Sequence, residues 1–191
     1  MDRRTTLKGI LTLSFLGVSS FSAYKWFFFH KSIDSSSIIA YKELIAELAE
    51  TIIPLTDTPG AKAANVENYI LNVILNCTET VEQNIFLNGL RNIERYAMDK
   101  YDKSYLKCTL DERNQILEHF EAKSVYPYQI INKINKKLFG KPFFTQLKNL
   151  TVEGYCNSHI GATQGLAYDY IPGSFESCIP LKSHQRSWAT K

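Results

Sequence analysis

Residues 38–60, IIAYKELIAELAETIIPLTDTPG, decide the fold class of this chain. Apolar residues recur there at intervals of three and four, at Ile38, Tyr41, Ile45, Leu48, Ala49 and Ile52. This spacing places them on one side of an amphipathic helix. Pro54 ends the predicted helix, and Thr56-Asp57-Thr58-Pro59-Gly60 is a dense turn signal. Asp57 and Thr58 are predicted to cap the following helix through their side-chain oxygens. The alternative is that residues 56–60 form a loop that faces a partner.

Five further stretches carry apolar residues at the helical period. The next three are Val66, Tyr69, Ile70, Val73 and Ile74; Val81, Ile85, Leu90, Ile93 and Ala97; and Leu110, Ile116, Leu117 and Phe120. The last two are Tyr128, Ile131, Ile134 and Leu138; and Phe143, Phe144, Leu147 and Leu150, with Tyr155 at the end. No useful stretch alternates as a strand does. The sequence therefore predicts an all-α bundle of about six helices over residues 38–160.

Local signals mark where three of these helices begin. Thr80 with Gln83, and Thr109 with Glu112, have the spacing of a capping box. Gly140-Lys141-Pro142 interrupts the fifth pattern and is predicted to place proline in the first turn of the sixth helix.

The helical pattern stops after Ile160, and residues 161–191 are predicted to form an irregular, aromatic-rich tail. Glycine and proline punctuate this segment, which either wraps on its own domain or lies on a partner. The interface candidates within it are Tyr168, Tyr170, Pro172, Gly173 and Phe175.

Residues 1–30 resemble a twin-arginine export signal. Arg3, Arg4, Leu7 and Lys8 precede a moderately apolar stretch that contains glycine, serine and threonine. This leader predicts export through the twin-arginine translocon to the periplasm. The alternative is an ordinary secretory signal or an N-terminal anchor that happens to carry two arginines.

The sequence leaves open whether this leader is removed. No A-x-A site follows the apolar stretch, and residues 10–29 are about the length that spans a bilayer core. The aromatic run at 26–29 would suit a membrane interface, so an uncleaved leader would tether the protein to the inner membrane. Residues 31–37, with three serines in a row, are predicted to be a linker.

Composition excludes several classes of site. The net charge of +3 is small and dispersed, which argues against a nucleic-acid partner. The four cysteines and four histidines form no CxxC, CxxCH or HExxH motif, so no metal or c-type haem site is assigned. There is no GxGxxG or Walker A loop, so no cofactor is expected in this chain. Asp57 would need a second carboxylate or a histidine to act as a catalytic acid, so no catalytic residue is assigned.

An oxidising compartment would permit disulfides, and four cysteines allow three pairings. We favour Cys156–Cys178, because this bridge would pin the tail to the last helix and stabilise it by about 3 kcal/mol. A bridge to another subunit is the alternative. Cys77 and Cys108 are predicted to be small buried apolar residues.

Three blocks of the sequence resemble the gluconate 2-dehydrogenase subunit 3 family. The first is IPLTDTPGA at 53–61, followed by Ala64 and Val66. The second is FFxxLxxLTxxGY at 143–155. The third is Gly161, then LxY at 166–168, then IPGxFxxC at 171–178. Their order and intervals fit the family over residues 38–180, and the first block is the most specific.

The resemblance implies a small exported helical protein that accompanies a large flavoprotein of the glucose–methanol–choline oxidoreductase type. That large subunit would hold FAD and oxidise gluconate, another sugar acid, a sugar or a polyol, often together with a multi-haem cytochrome c. This chain would be a non-catalytic accessory subunit that stabilises the flavoprotein and carries it through export. Two alternatives stay open. Tyr168, Tyr170 and Phe175 would complete an active site at the interface, or the chain would act alone as a membrane-tethered helical protein.

Overall fold

The computed structural model describes residues 32–124, 140–171, 173, 178–180 and 183–189. Within them lie six α-helices: α1 Ser35–Ile39, α2 Lys42–Ile52, α3 Val66–Asn76, α4 Thr80–Tyr101, α5 Leu110–Ser124 and α6 Phe143–Asn157. A 3₁₀ turn at Tyr105–Lys107 joins α4 to α5, and a π-helical turn at Gly161–Gly165 follows α6. The described residues contain no strand, only an isolated bridge between Ala167 and Trp188. The predicted all-α class is confirmed.

Helix α6 lies at the centre of the bundle and packs against α2, α3, α4 and α5. Its predicted apolar side is confirmed, because Phe143, Phe144, Leu147 and Tyr155 are all buried. The core that surrounds it is formed mainly by the predicted faces of α2 and α3, by Ile116 and Leu117 of α5, and by Phe86, Leu87, Leu90 and Ile93 of α4.

Two glycines allow neighbouring helices to approach α6 closely. A Cβ atom on Gly89 of α4 would lie 2.0 Å from Cγ of Phe143. A Cβ atom on Gly154 of α6 would lie 2.7 Å from Cδ1 of Tyr69 in α3. Both positions therefore require a residue without a side chain.

The start of the helical domain differs from the prediction. Part of the expected linker is helical, because α1 begins at Ser35. The Asp34 carboxylate caps it by accepting hydrogen bonds from the backbone N–H of Ser36 (3.2 Å) and from its hydroxyl (2.5 Å). The first predicted helix is also divided in two, since α1 ends at Ile39 and α2 starts at Lys42.

One predicted capping box is confirmed and the other is wrong. The Thr109 N–H donates to Glu112 Oε2 (2.8 Å), and the Glu112 N–H donates to Thr109 Oγ1 (3.4 Å). Gln83 instead points back toward α3 and donates from Nε2 to the carbonyl of Ile74 (3.0 Å). It thereby provides a hydrogen-bond donor for a backbone carbonyl in the last turn of α3. Pro142 is the N-cap of α6, one position before the predicted first turn.

Other expectations need correction or fall outside the described residues. The apolar pattern predicts Leu110 on the buried side of its helix, but this residue is 60% exposed in the first turn of α5. The predicted helix around residues 128–138 and the leader at 1–30 are not among the described residues. No helix in the described part of the chain is long and apolar enough to cross a membrane.

Gly89→Ala tests the close approach of α4 to α6. Alanine normally stabilises a helix interior by up to about 1 kcal/mol relative to glycine. Here its methyl group would overlap the Phe143 ring, so we expect a net loss of about 1–3 kcal/mol. The urea unfolding midpoint of the purified chain measures this. Gly173→Ala is the control, because no described residue outside its chain neighbours lies within 4 Å of its Cβ position. A raised midpoint for Gly89→Ala would contradict the packing described.

Candidate functional site

The segment between α2 and α3 forms a compact loop at residues 53–62, which we call the motif loop. Glu50, in the last turn of α2, reaches forward into it. Its Oε1 accepts a hydrogen bond from the Leu55 N–H (2.9 Å), and its Oε2 accepts one from the Lys62 N–H (2.8 Å). A carboxylate at this end of a helix faces the negative pole of the helix dipole, so the two backbone donors offset an unfavourable position.

Gly60 makes room for this carboxylate. A Cβ atom on Gly60 would lie 2.3 Å from Glu50 Oε1, closer than any side chain permits. The Ala61 N–H also donates to the Ile53 carbonyl (2.9 Å) and closes the base of the loop. The glycine of the first sequence block therefore leaves open the path that the Glu50 side chain takes.

Tyr155 of α6 supports the motif loop from the other side. Its buried hydroxyl donates to the Pro59 carbonyl at 2.6 Å. Gly165, in the π-helical turn, packs against the same hydroxyl, because a Cβ atom there would lie 2.3 Å from it. The structure thus brings the motif loop and the beginning of the tail to one end of the bundle.

The expected capping role of Asp57 and Thr58 is wrong. Helix α3 begins only at Val66, and its N-cap is Asn65, with a φ of 53° and no side-chain cap bond. The Thr56 N–H donates to the Thr58 carbonyl (3.0 Å), and the Thr56 hydroxyl donates to Asp57 Oδ1 (3.1 Å). These residues shape the motif loop itself, because residues 61–65 separate them from the helix.

The outer face of the motif loop is open to solvent. Leu55 is 69% exposed, and Pro54, Thr56 and Asp57 are exposed as well. An apolar side chain is thus presented on a backbone that Glu50 and Tyr155 hold from beneath. No group of three histidine, cysteine, aspartate or glutamate residues that could hold a metal occurs among the described residues. The geometry suits a surface for contact.

A second carboxylate of α2 ties the motif loop to α5. Glu47 Oε1 lies 2.5 Å from Lys62 Nζ, and its Oε2 lies 2.6 Å from Arg113 Nη1. Arg113 also donates from Nη2 to the Leu106 carbonyl (2.8 Å). Partial burial opposes the ionised form of Glu47, but the hydrogen bond from Lys62 and the charge of Arg113 outweigh it. The pKa of Glu47 is therefore lowered from its usual 4.5.

Tyr105, in the 3₁₀ turn, anchors the same region, and no pattern in the sequence predicts it. It is completely buried, and its hydroxyl lies 3.0 Å from Thr51 Oγ1. Burial raises the pKa of Tyr105 to about 12, so the phenol stays protonated at neutral pH. The Arg113 guanidinium carbon lies 5.5 Å from its ring centroid. Tyr105 therefore contributes packing and one polar contact beneath α2.

The tail candidates are placed only in part. Tyr168 is 44% exposed, Tyr170 is 86% exposed, and Gly173 is exposed. Pro172 and Phe175 are outside the described residues. The tail also folds back on itself, since the Ala167 N–H donates to the Ser187 carbonyl and the Ala167 carbonyl accepts from the Ala189 N–H, both at 2.8 Å.

The favoured disulfide is absent from the structure, in which Cys156 and Cys178 are both free thiols. The start of the tail is held by hydrogen bonds instead, including one from Arg186 Nη1 to the Gln164 carbonyl (2.7 Å). Cys108 is buried as predicted, whereas Cys77 is exposed at the end of α3. A bridge to another subunit stays a prediction.

Glu50→Gln tests the support of the motif loop. Glutamine keeps one acceptor but turns an amide N–H₂ group toward a backbone donor, so we expect a loss of about 1 kcal/mol. Amide hydrogen exchange at Leu55 and Lys62 should accelerate along with it. Glu43→Gln is the control, because Glu43 lies exposed in the first turn of the same helix. Equal exchange rates in both variants would show that Glu50 does not hold the loop.

Glu47 predicts a pH dependence of stability. Because its folded pKa is lowered, its contribution is complete above pH 4.5 and is lost as the pH falls through the folded pKa. We expect Glu47→Gln to lower the free energy of unfolding by about 2 kcal/mol at pH 7. Below pH 4.5 the stability of this variant should fall less steeply with pH than that of the wild type. Urea titrations at several pH values measure both effects. Glu121→Gln is the control, since its ion pair with Lys148 is about half exposed and should contribute little.

Comparison with known proteins places this architecture in a family. The family model for gluconate 2-dehydrogenase subunit 3 matches residues 40–173, well over half of the 191-residue chain. No curated protein and no solved structure gives a significant match. The matched region contains helices α2 to α6, the motif loop and the π-helical turn. The chain belongs to the gluconate 2-dehydrogenase subunit 3 family, whose members are subunits of a multi-subunit dehydrogenase complex.

Proposed function

We propose that this chain is a non-catalytic accessory subunit of a FAD-dependent dehydrogenase that oxidises gluconate, another sugar acid, a sugar or a polyol. The observation that carries the proposal is the family match over residues 40–173, which covers nearly all of the described bundle. FAD would be held by a larger partner of the glucose–methanol–choline type. Electrons would pass from that partner to an acceptor such as a multi-haem cytochrome c.

The structure of the motif loop supports a binding role for this chain. A small protein stabilises a larger one by offering a surface that is already ordered, because less conformational entropy is then lost on binding. Glu50 and Tyr155 order the motif loop before any partner arrives. The free energy of this binding would add to the stability of the folded flavoprotein.

The leader supports a second task, the export of the complex. Arg3, Arg4, Leu7 and Lys8 form the twin-arginine pattern, and they precede the family domain. A flavoprotein that acquires FAD in the cytoplasm has to cross the membrane folded. A tightly bound subunit with a twin-arginine leader would carry it to the periplasm, and residues 10–29 would tether the complex if the leader stays attached.

Co-purification tests the accessory role. We expect the visible absorbance of oxidised flavin only in fractions that contain a second, larger chain, because the cofactor would be held there. Dehydrogenase activity should follow the same fractions. Flavin or dehydrogenase activity in the isolated chain would overturn the proposal.

Replacing Arg3 and Arg4 with lysine tests the export role. We expect the large subunit and its dehydrogenase activity to remain in the cytoplasmic fraction, because lysine does not reproduce the paired guanidinium groups. The control is the same double exchange at Arg91 and Arg95, two exposed residues of α4. Immunoblots of periplasmic and cytoplasmic fractions give the measurement. Normal export of the large subunit by the variant that carries Arg3→Lys and Arg4→Lys would refute the escort role.

A further inference from the structure

We infer that the large dehydrogenase subunit binds to one end of the bundle, formed by the outer face of the motif loop at residues 54–57 and the tail stretch at 168–171. We call this surface the docking end. The inference rests on the proposed function and goes further, because it assigns the contact to two named segments.

The two segments leave the core at one point. The Tyr155 hydroxyl donates to the Pro59 carbonyl at 2.6 Å and packs against Gly165, so the motif loop and the π-helical turn share a single support. Leu55 lies four residues before Pro59, and Tyr168 lies three residues after Gly165. Both segments therefore belong to the same end of the protein.

Large apolar side chains are exposed on both segments. Leu55 is 69% exposed, Tyr170 is 86% exposed and Ile171 is 79% exposed, the highest values among the described large hydrophobic residues. A single exposed apolar residue is ordinary. Here the three most exposed ones lie on the two segments that Tyr155 brings together. Tyrosine and apolar anchors of this kind dominate the binding energy of protein interfaces.

Internal packing does not account for the exposed side chains of these segments. Residues 166–171 contribute no buried side chain, yet they lie within the region that the family model matches, which ends at residue 173. Leu55 likewise contributes nothing to the core, although its N–H is fixed by Glu50. A contact outside this chain gives both segments a role within the family domain.

The dehydrogenase subunit is the occupant that the observations favour. The family consists of subunits of a dehydrogenase complex, which implies a dehydrogenase partner. The described charged residues near this end are of both signs, with Asp57 and Asp169 negative and Lys62 and Arg186 positive. Among the described residues this mixture forms no basic cluster of the kind that attracts an anionic lipid surface.

The test measures binding of the full chain to its large flavoprotein subunit, with FAD bound. Leu55→Asp and Ile171→Asp should each weaken binding roughly tenfold, since a buried anchor is replaced by a charge. Leu110→Asp is the matched control, because Leu110 is 60% exposed on α5, outside the docking end. It should bind like the wild type. Unchanged circular dichroism and unfolding midpoints establish that all three variants are folded.

Tyr155→Phe gives a second, independent readout. It keeps the buried ring and removes only the hydrogen bond to Pro59. As a positioning residue, Tyr155 should affect binding through the loop, so affinity should fall while hydrogen exchange at Leu55 rises. Leu55→Asp should lower affinity without a comparable rise in hydrogen exchange across the rest of the motif loop.

Each result decides the inference. Wild-type affinity in Leu55→Asp, Ile171→Asp and their double variant would overturn the docking end and leave the accessory role intact. Failure of the wild-type chain to bind any flavoprotein would overturn the accessory role itself. Should light scattering show a dimer of the isolated chain that Leu55→Asp dissociates, the surface would belong to a second copy, and the assignment would be wrong.

Discussion

The hydrogen bond from the Tyr155 hydroxyl to the Pro59 carbonyl holds together parts of the chain that are far apart in sequence. Its partners are 96 residues apart, and Gly165 packs against the same hydroxyl. Pro59 belongs to the first sequence block of the family, Tyr155 ends the second, and Gly165 lies between Gly161 and Leu166 of the third. The three blocks look unrelated along the sequence, but they meet around one buried phenol. Removing that hydrogen bond would therefore loosen the support that the loop and the start of the tail share.

Two carboxylates on α2 complete this arrangement in different ways. Glu50 accepts hydrogen bonds from the backbone at both ends of the motif loop, whereas Glu47 pairs with the side chains of Lys62 and Arg113. The first contact sets the path of the loop, and the second attaches it to α5. Lys62 takes part in both, through its N–H and its ammonium group. The carboxylates near the C-terminal end of α2 interact unfavourably with the helix dipole, but they fix the motif loop in place.

Much of the fold could be predicted from the sequence, because α2, α3, α5 and α6 bury residues at the helical period. In α4 the predicted stripe is wrong at its start, because Val81 and Ile85 are only half-buried. Phe86 and Leu87, which lie four and three residues before Leu90, are buried instead. The composition of the serine run before Ile38 indicates a linker, but Asp34 caps it into a helix. The contacts of Glu50 and Gln83 could not be predicted, because they depend on the direction in which the chain returns. The absence of the favoured Cys156–Cys178 disulfide could not be predicted either, since sequence alone does not place Cys178 relative to Cys156.

The π-helical turn at Gly161–Gly165 affects the order in which the contacts of the motif loop can form. Contacts between Glu50 and the motif loop span at most twelve residues, so they close at a low entropic cost. The support from Tyr155 and Gly165 forms only after synthesis has passed Gly165. A ribosome-bound or truncated chain that ends before this residue can therefore hold the loop on one side only. The shape of this end of the bundle thus distinguishes chains that contain the π-helical turn from shorter ones.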